Sequence, residues 1–302
     1  MKKLILITGV AGFIGSKVAN RFIEEGFQVV GVDDLSNGKL KNIPSEVDFI
    51  KGDLSKKKTI NLLPKKCNQI LHLSGQSSGE ISFDDPITDL NKNTISTLNL
   101  INYGIEKGAK RIIYSSSMSV YGQPTKKRVN EQDKCEPLSC YGVGKLMTEK
   151  YLHIFRKQIP FVSLRMANVY GPGQDMNNLR QGMVSIYLAQ ALKNKKILIK
   201  GSLERVRDFI YIDDVVECWF RASKSNSCLN LCMNIGTGIP TKVKRLISII
   251  RKKITGTKYY LSRPTKGDQN FIVGDNNLLR SKLNIKKFLS VEEGLELFIS
   301  SL

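Results

Sequence analysis

The sequence predicts an α/β protein, a doubly wound parallel sheet with a smaller C-terminal lobe. Three observations predict it. Short β-rich runs alternate with helical stretches through the first half. Most of those runs are continuously apolar, as strands are when helices cover both sheet faces. Beyond Val169 the alternation gives way to loop-like segments (GPGQ, NNLRQG, GSLERVRDF, NIGTGIP, RPTKGD) between short helices.

In order, Leu4–Thr8, Val29–Val32, Asp48–Lys51, Gln69–Leu73, Arg111–Ser115 and Val162–Arg165 read as strands. Phe13–Glu25, Pro86–Lys107 and Tyr141–Lys157 read as the helices between them. Strand–helix–strand alternation requires crossovers, hence parallel pairing. Residues 1–169 form the sheet domain, to which later segments return, and residues 170–302 form mainly the smaller lobe. There are no internal repeats and no low-complexity linker.

Composition narrows the classes. The chain has 302 residues and 41% hydrophobic content, enough for a sizeable core. No apolar run is long enough to span a membrane. The N-terminal MKKLILITGV has an apolar run of about five residues that passes straight into a glycine turn, so it reads as a buried strand rather than an export signal, and the expected location is the cytoplasm. Six cysteines without metal-ligand spacing, beside only two histidines, read as reduced thiols with no metal site. The formal charge of +20 raises nucleic acid as a partner. The lysines, however, are scattered in short runs without interleaved aromatics, so a nucleic-acid role is not expected and the basic surface favours a polyanionic small molecule.

The first strand runs into Gly9-Val10-Ala11-Gly12-Phe13-Ile14-Gly15. In such a G-x-x-G-x-x-G turn Gly9 allows a tight exit from the strand. Gly12 lets the backbone approach a pyrophosphate, and Gly15 lets the helix sit close to the sheet. The helix N-terminus offers free N–H groups and the positive end of its dipole. The second strand ends in Asp33-Asp34, eighteen residues past Gly15. A carboxylate there binds ribose hydroxyls and repels a 2′-phosphate, which points to NAD rather than NADP. Gly52-Asp53-Leu54, after the third strand, places a second carboxylate within reach of an adenine amino group.

This glycine spacing resembles the short-chain dehydrogenase/reductase family, with its Rossmann-type sheet. Asp33-Asp34-Leu35-Ser36-Asn37-Gly38 resembles the family's extended branch of sugar-nucleotide epimerases and dehydratases. The resemblance implies that Phe13, Ile14, Asn37, Asp53, Leu54 and Leu73 line the cofactor with the glycines and Asp33. It continues in Ser115-Ser116-Ser117-Met118-Ser119-Val120-Tyr121-Gly122 and in the Y-x-x-x-K of Tyr141 and Lys145. Four residues are about one helical turn, so Tyr141 and Lys145 share a face. A free tyrosine, with a pKa of about 10, is a poor base at neutral pH. The Lys145 ammonium and the positive nicotinamide of NAD would favour its phenolate, letting Tyr141 take a sugar hydroxyl proton as hydride leaves. The family motif gives Ser117, with Ser116 second, as the hydroxyl that positions the sugar.

Further matches extend almost to the C-terminus. Arg165-x-x-Asn168-x-Tyr170-Gly171-Pro172 implies that Asn168 bonds the substrate, and Asn178-Leu179 that they lie along its base. Arg207-Asp208-Phe209 implies that Arg207 binds a diphosphate. Asn234-Ile235-Gly236-Thr237-Gly238 matches a family turn. The family's late arginine is displaced here to Arg263, and Lys266, closer to Gly267-Asp268, could share its phosphate role. Ser74-Gly75-Gln76-Ser77-Ser78-Gly79 replaces the commoner alanine-rich loop.

Dehydratases of the family carry Asp-Glu before V-Y-G, and the decarboxylases keep the glutamate. Here Met118 and Ser119 stand there, and neither exchanges protons usefully. What remains resembles the UDP-glucose 4-epimerase-like members. These oxidise a nucleotide sugar to a 4-keto intermediate, let it turn, and return the hydride, as a step in making polysaccharide precursors. A keto-sugar reductase using NAD(P)H is the alternative. Ile272 stands where related epimerases vary between bulky and small residues, and a small one admits N-acetylated sugars. The resemblance also implies a homodimer through Thr88–Lys107 and Tyr141–Lys157, with Ile95, Leu98, Ile101, Tyr103, Leu152 and Phe155 on the shared face.

Overall fold

The structure is a computed structural model that describes residues 3–302; Met1 and Lys2, at the head of the run read against an export signal, lie outside them. Strands β1 (Leu4–Thr8), β2 (Gln28–Asp33), β3 (Asp48–Lys51), β4 (Gln69–His72), β5 (Ile112–Ser117) and β6 (Phe161–Met166) appear where the sequence puts them, shifted by at most two residues at either end. Short strands follow: β7 (Asn168–Tyr170), β8 (Lys196–Lys200), β9 (Val206–Arg207), β10 (Phe209–Tyr211), β11 (Leu231–Ile235), β12 (Thr241–Lys242), β13 (Lys258–Ser262) and β14 (Phe271–Ile272). The helices are α1 (Phe13–Glu24), α2 (Lys57–Ile60), α3 (Pro86–Leu90), α4 (Ser96–Glu106), α5 (Cys140–Phe155), α6 (Met183–Asn194), α7 (Ile212–Lys224), α8 (Val243–Lys253), α9 (Asn277–Leu283) and α10 (Val291–Ser300).

The main sheet has seven strands in the order β11-β6-β5-β4-β1-β2-β3. Every neighbouring pair is parallel. The chain builds outward from β1 to β3, then returns to the other side of β1 with β4. That reversal opens a crevice at the carboxyl ends of β1 and β4, where ligands bind in open α/β sheets. Side chains alternate across the sheet. Ile5, Ile7 and Leu71 join Phe22 and Trp219 in one core, while Leu6, Ile70 and Ile112 join Leu100 and Leu152 in the other. With both faces covered, each buried Leu or Ile contributes about 1.5–3 kcal/mol.

Two features depart from the expected elements. β11 is a seventh strand that the sequence reading lacks; it pairs with β6 from Leu231↔Val162 to Ile235↔Met166. The helix expected over Pro86–Lys107 is split, because Asn91–Ile95 forms a π-helical turn between α3 and α4. Such turns are often found at functional sites. Here the wider turn leaves the Asn93 carbonyl to accept the hydroxyls of Thr97 (2.7 Å) and Thr148 (3.1 Å), which ties this helix to α5.

Candidate active site

A cleft of about 720 Å³ opens at the reversal point and continues past a second cavity of about 310 Å³ beneath the smaller lobe. The first is lined by Gly9, Gly12, Phe13, Ile14, Gly15, Asp33, Asn37, Asp53, Leu54, Leu73, Tyr141 and Lys145, every residue expected along a dinucleotide. The second is lined by Leu179, Arg207, Lys266 and Ile272, among others. Ser117, Ser119 and Asn168 line both, so they mark where the two spaces meet.

The glycine turn has the form a pyrophosphate requires. Gly9 has φ +71, in the left-handed region that side chains avoid. A Cβ on Gly15 would fall onto the Gly9 carbonyl oxygen, so only glycine lets α1 start this close to β1. No side chain caps α1, and its first turn carries no acidic residue, so its N-terminus stays open to an anion. The Asp33 carboxylate accepts the N–H groups of Ala11 (3.0 Å) and Leu35 (2.8 Å), which fixes it on the wall of the cleft. Burial pushes its pKa up against those two hydrogen bonds. These groups fit an adenine dinucleotide.

Helix α5 carries the chemistry. Its N-cap is Ser139, whose hydroxyl accepts the Gly142 N–H at 3.1 Å. Tyr141, Lys145 and Glu149 then follow at intervals of about one turn on one face. Lys145 is 3% exposed and donates to the Ser115 carbonyl at 2.8 Å, with its Nζ 5.5 Å from the centre of the Tyr141 ring. Burial lowers the Lys145 pKa to about 8, although Asp89 and Glu149 act to raise it. Burial pushes the Tyr141 phenol up to about 12; its hydrogen bond with Ser117 works the other way, and the charge of Asp89 adds to the rise. Desolvation of the phenolate thus dominates in the chain by itself, and the positive ring of NAD is the charge expected to act against it. Ser117 Oγ donates to Ser119 Oγ (3.0 Å) and accepts the Ser119 N–H (3.1 Å). Ser116, the second choice, is 1% exposed with a hydroxyl that has no partner among the described residues, and it too lines the cleft.

The same helix is locked to the sheet by a buried ion pair. Glu149 accepts Arg165 at 2.7 Å, and the two side chains are 3% and 6% exposed. Glu149 also accepts Ser163 Oγ, and Arg165 Nη1 donates to Tyr121 Oη at 2.8 Å. Tyr121 in turn donates to Asn234 Oδ1, whose amide reaches the carbonyls of Val129 and Asp275.

In the second cavity Arg207 and Arg205 are both buried and both pair with Asp268, Arg207 at 2.5 Å. Asp208 accepts both N–H groups and the hydroxyl that the Thr237-Gly238 turn presents, and its carbonyl holds Asn168 Nδ2 at 3.1 Å. This explains the R-D and N-I-G-T-G motifs: one clamps the other and fixes Asn168. Asn178 lines the first cleft and Leu179 the second. Arg263 is exposed on the loop after β13 and lines neither cavity, whereas Lys266, three residues on, does line the second. The sequence reading also missed Arg205, Asp89 and Glu80, the last of which lines the second cavity and pairs with Lys200 at 3.0 Å. Arg205 had a signal, since it lies two residues before Arg207, immediately ahead of β9, and residues two apart in extended chain share a face. Asp89 had none, because it is buried where α3 packs against Gly144 of α5. Among the described residues no cluster suited to a metal ion occurs, and no helix is long and apolar enough to cross a membrane.

Residues 5–236 match the family model described as NAD dependent epimerase/dehydratase family. A UDP-glucose 4-epimerase of Mycolicibacterium smegmatis is 32% identical over 96% of this chain and 95% of its own length. The crystal structure of a Thermotoga maritima UDP-glucose 4-epimerase with UDP-glucose superposes with a TM-score of 0.93, at 35% identity, over 99% of this chain and 98% of that one. A Thermus thermophilus UDP-glucose 4-epimerase in complex with NAD superposes at 0.88, with 28% identity over 99% and 98% of the two chains.

Proposed function

Because this chain belongs to the NAD-dependent epimerase/dehydratase family, we propose that it is an NAD-dependent epimerase that inverts C4 of a UDP-linked sugar. One observation carries the reading. Tyr141, Lys145 and Ser117 meet at the junction of a dinucleotide cleft and an arginine-lined cavity, and Met118 and Ser119 stand where elimination would need an acid and a base.

Tyr141 is the base that takes the proton of the C4 hydroxyl. Bound NAD supplies the hydride acceptor and donor, and its positive ring favours the phenolate that burial opposes. Ser117, beside Tyr141 at the junction of the two spaces, orients the hydroxyl. Lys145, anchored on the Ser115 carbonyl, keeps a positive charge beside the phenol. Arg207 and Asn168 hold the diphosphate side, with Arg205 and Lys266 close by, and Leu179 lies along the base. The phosphate anchor leaves the sugar itself few fixed contacts, so a 4-keto intermediate is free to turn over before it is reduced. Tyr141 then returns the proton to the new hydroxyl.

Ile272 is 3% exposed and sits against Met118, Val120 and Tyr121, an aliphatic wall that keeps N-acetylated sugars among the substrates to test. The six cysteines are unpaired, which supports a reducing compartment, and we place the reaction in the cytoplasm as a step toward polysaccharide precursors. We also infer a homodimer through the helical segments that the resemblance implied, where Ile95, Leu98 and Phe155 remain partly exposed. Ile101, Tyr103 and Leu152 turn onto the chain's own sheet, whereas Ile87, Leu90, Val143, Met147 and Ile154 of α3 and α5 are exposed.

The test is purified protein, with no cofactor added, incubated with UDP-, dTDP-, CDP- and GDP-sugars, UDP-GlcNAc included, and the products identified by NMR. A C4 epimer formed without added NAD(P)H is expected. Product only from a keto-sugar plus NAD(P)H would replace epimerase with reductase.

A further inference from the structure

The segment after β2, residues 34–42, forms one wall of the dinucleotide cleft, and it is tied down at two places by ion pairs that the chemistry above does not use. Near its start, Lys92 on the π-helical turn donates to Asp34 (2.9 Å) and to Ser36 Oγ (2.7 Å), 58 and 56 residues away in sequence. Near its end, Lys39 pairs at 3.0 Å with Asp175, on the loop between β7 and α6. Asp34, Ser36, Lys39, Lys92 and Asp175 all line the same cleft as the glycine turn. The second pair therefore joins the sheet domain to the loop entering the smaller lobe. At and just past the second pair, the Lys39 N–H and the Asn42 amide both hold the Ala11 carbonyl within the glycine turn, at 3.1 and 3.0 Å.

We propose that Lys92–Asp34 and Lys39–Asp175 form a two-point strap across the cofactor cleft that slows release of the dinucleotide. The proposal rests on the epimerase reading, in which one NAD molecule both accepts and returns the hydride and loses its use if it leaves in between. A bridge from one wall of a cleft to the other must open before a bound molecule as long as a dinucleotide can leave. Neither pair is deeply buried, the side chains being 24% and 28% exposed in one and 43% and 38% in the other. Each is accordingly worth little, and is screened by salt. Release should quicken by about threefold when either pair is broken and by about tenfold when both are.

The experiment measures release of radiolabelled NAD from the full-length protein after a chase with excess unlabelled NAD, at low and at high salt. Lys92→Met and Lys39→Met are expected to speed release at low salt, the double variant most, with the differences shrinking at high salt. Lys92→Arg should restore slow release. Asp175→Asn separates a strap from simple attraction between lysines and phosphates. A strap predicts faster release, whereas attraction predicts release unchanged or slower, because Lys39 is then free to face the phosphates. Asp175→Asn also stands in should Lys39→Met lower the melting temperature of the protein. Wild-type release rates in the double variant, or slower release in Asp175→Asn, overturn the strap while leaving the epimerase reading intact. No label retained by the wild-type protein overturns the cofactor reading, and the strap with it.

Discussion

Burial shifts Tyr141 and Lys145 in opposite senses: it holds the phenol in its protonated form and brings the ammonium close to losing its charge. Burial raises the phenol to about 12 and lowers the ammonium to about 8. Tyr141→Phe should cost about 10²–10⁴-fold in turnover, read from NMR product formation, while the protein still binds NAD. Lys145 is protonated below about 8 and neutral above it, so kcat/KM should fall on the alkaline side with an apparent pKa near 8. A profile flat to pH 10 would show that the lysine charge is dispensable. Asp89 is 2% exposed, with one hydrogen bond from Asn93 at 3.1 Å, and burial raises its pKa to about 6. A carboxyl raised in the folded state binds its proton more tightly there than when unfolded. Folding therefore gains as pH falls from about 6 toward 3.8 and carries the full penalty at neutral pH. Asp89→Asn should stabilise the protein by about 1–3 kcal/mol at pH 7.5 and by almost nothing at pH 4, as denaturant titrations at the two values would show.

The catalytic helix is positioned as a unit by the Glu149–Arg165 pair. Glu149→Ala leaves a buried guanidinium without its counter-charge, which should cost about 3–5 kcal/mol in a urea titration. The elements of the sheet domain were legible because each has a local cause: apolar runs in the strands, Gly9 and Gly15 at the first turn, Tyr141 and Lys145 one turn apart. Two things were not legible locally. β11 reads as a loop-bounded stretch, LCMNI, since its partner β6 lies about seventy residues earlier and only pairing makes it a strand. The π-turn at Asn91–Ile95 leaves no periodicity signal, because it inserts only a single wide turn into a pattern that is otherwise helical. Site residues followed the same division. Those inside contiguous motifs were visible, whereas Arg205, Asp89 and the Lys39–Asp175 pair owe their places to contacts between distant segments. Spacing along the loop after β13 could not choose between Arg263 and Lys266, because it does not fix which residue the loop turns inward.

At the scale of the molecule, the exposed apolar residues of α3 and α5 form a candidate subunit contact with a direct test. Met147→Asp with Val143→Asp should convert a dimer to a monomer in sedimentation velocity, since both residues are about half exposed in the single chain. A wild-type protein that sediments as a monomer at micromolar concentration would remove the dimer from the account. The late return of β11 to the sheet has a consequence for synthesis. All six residues of β6 are buried in the finished protein, and the outer edge of that strand is sealed only by residues 231–235. While the ribosome is still translating the smaller lobe, a sheet formed to that point would carry one bare edge of unpaired backbone N–H and C=O groups, the kind of surface that recruits other strands. The interval in which a chaperone has something to shield thus opens when β6 emerges and closes when Ile235 does.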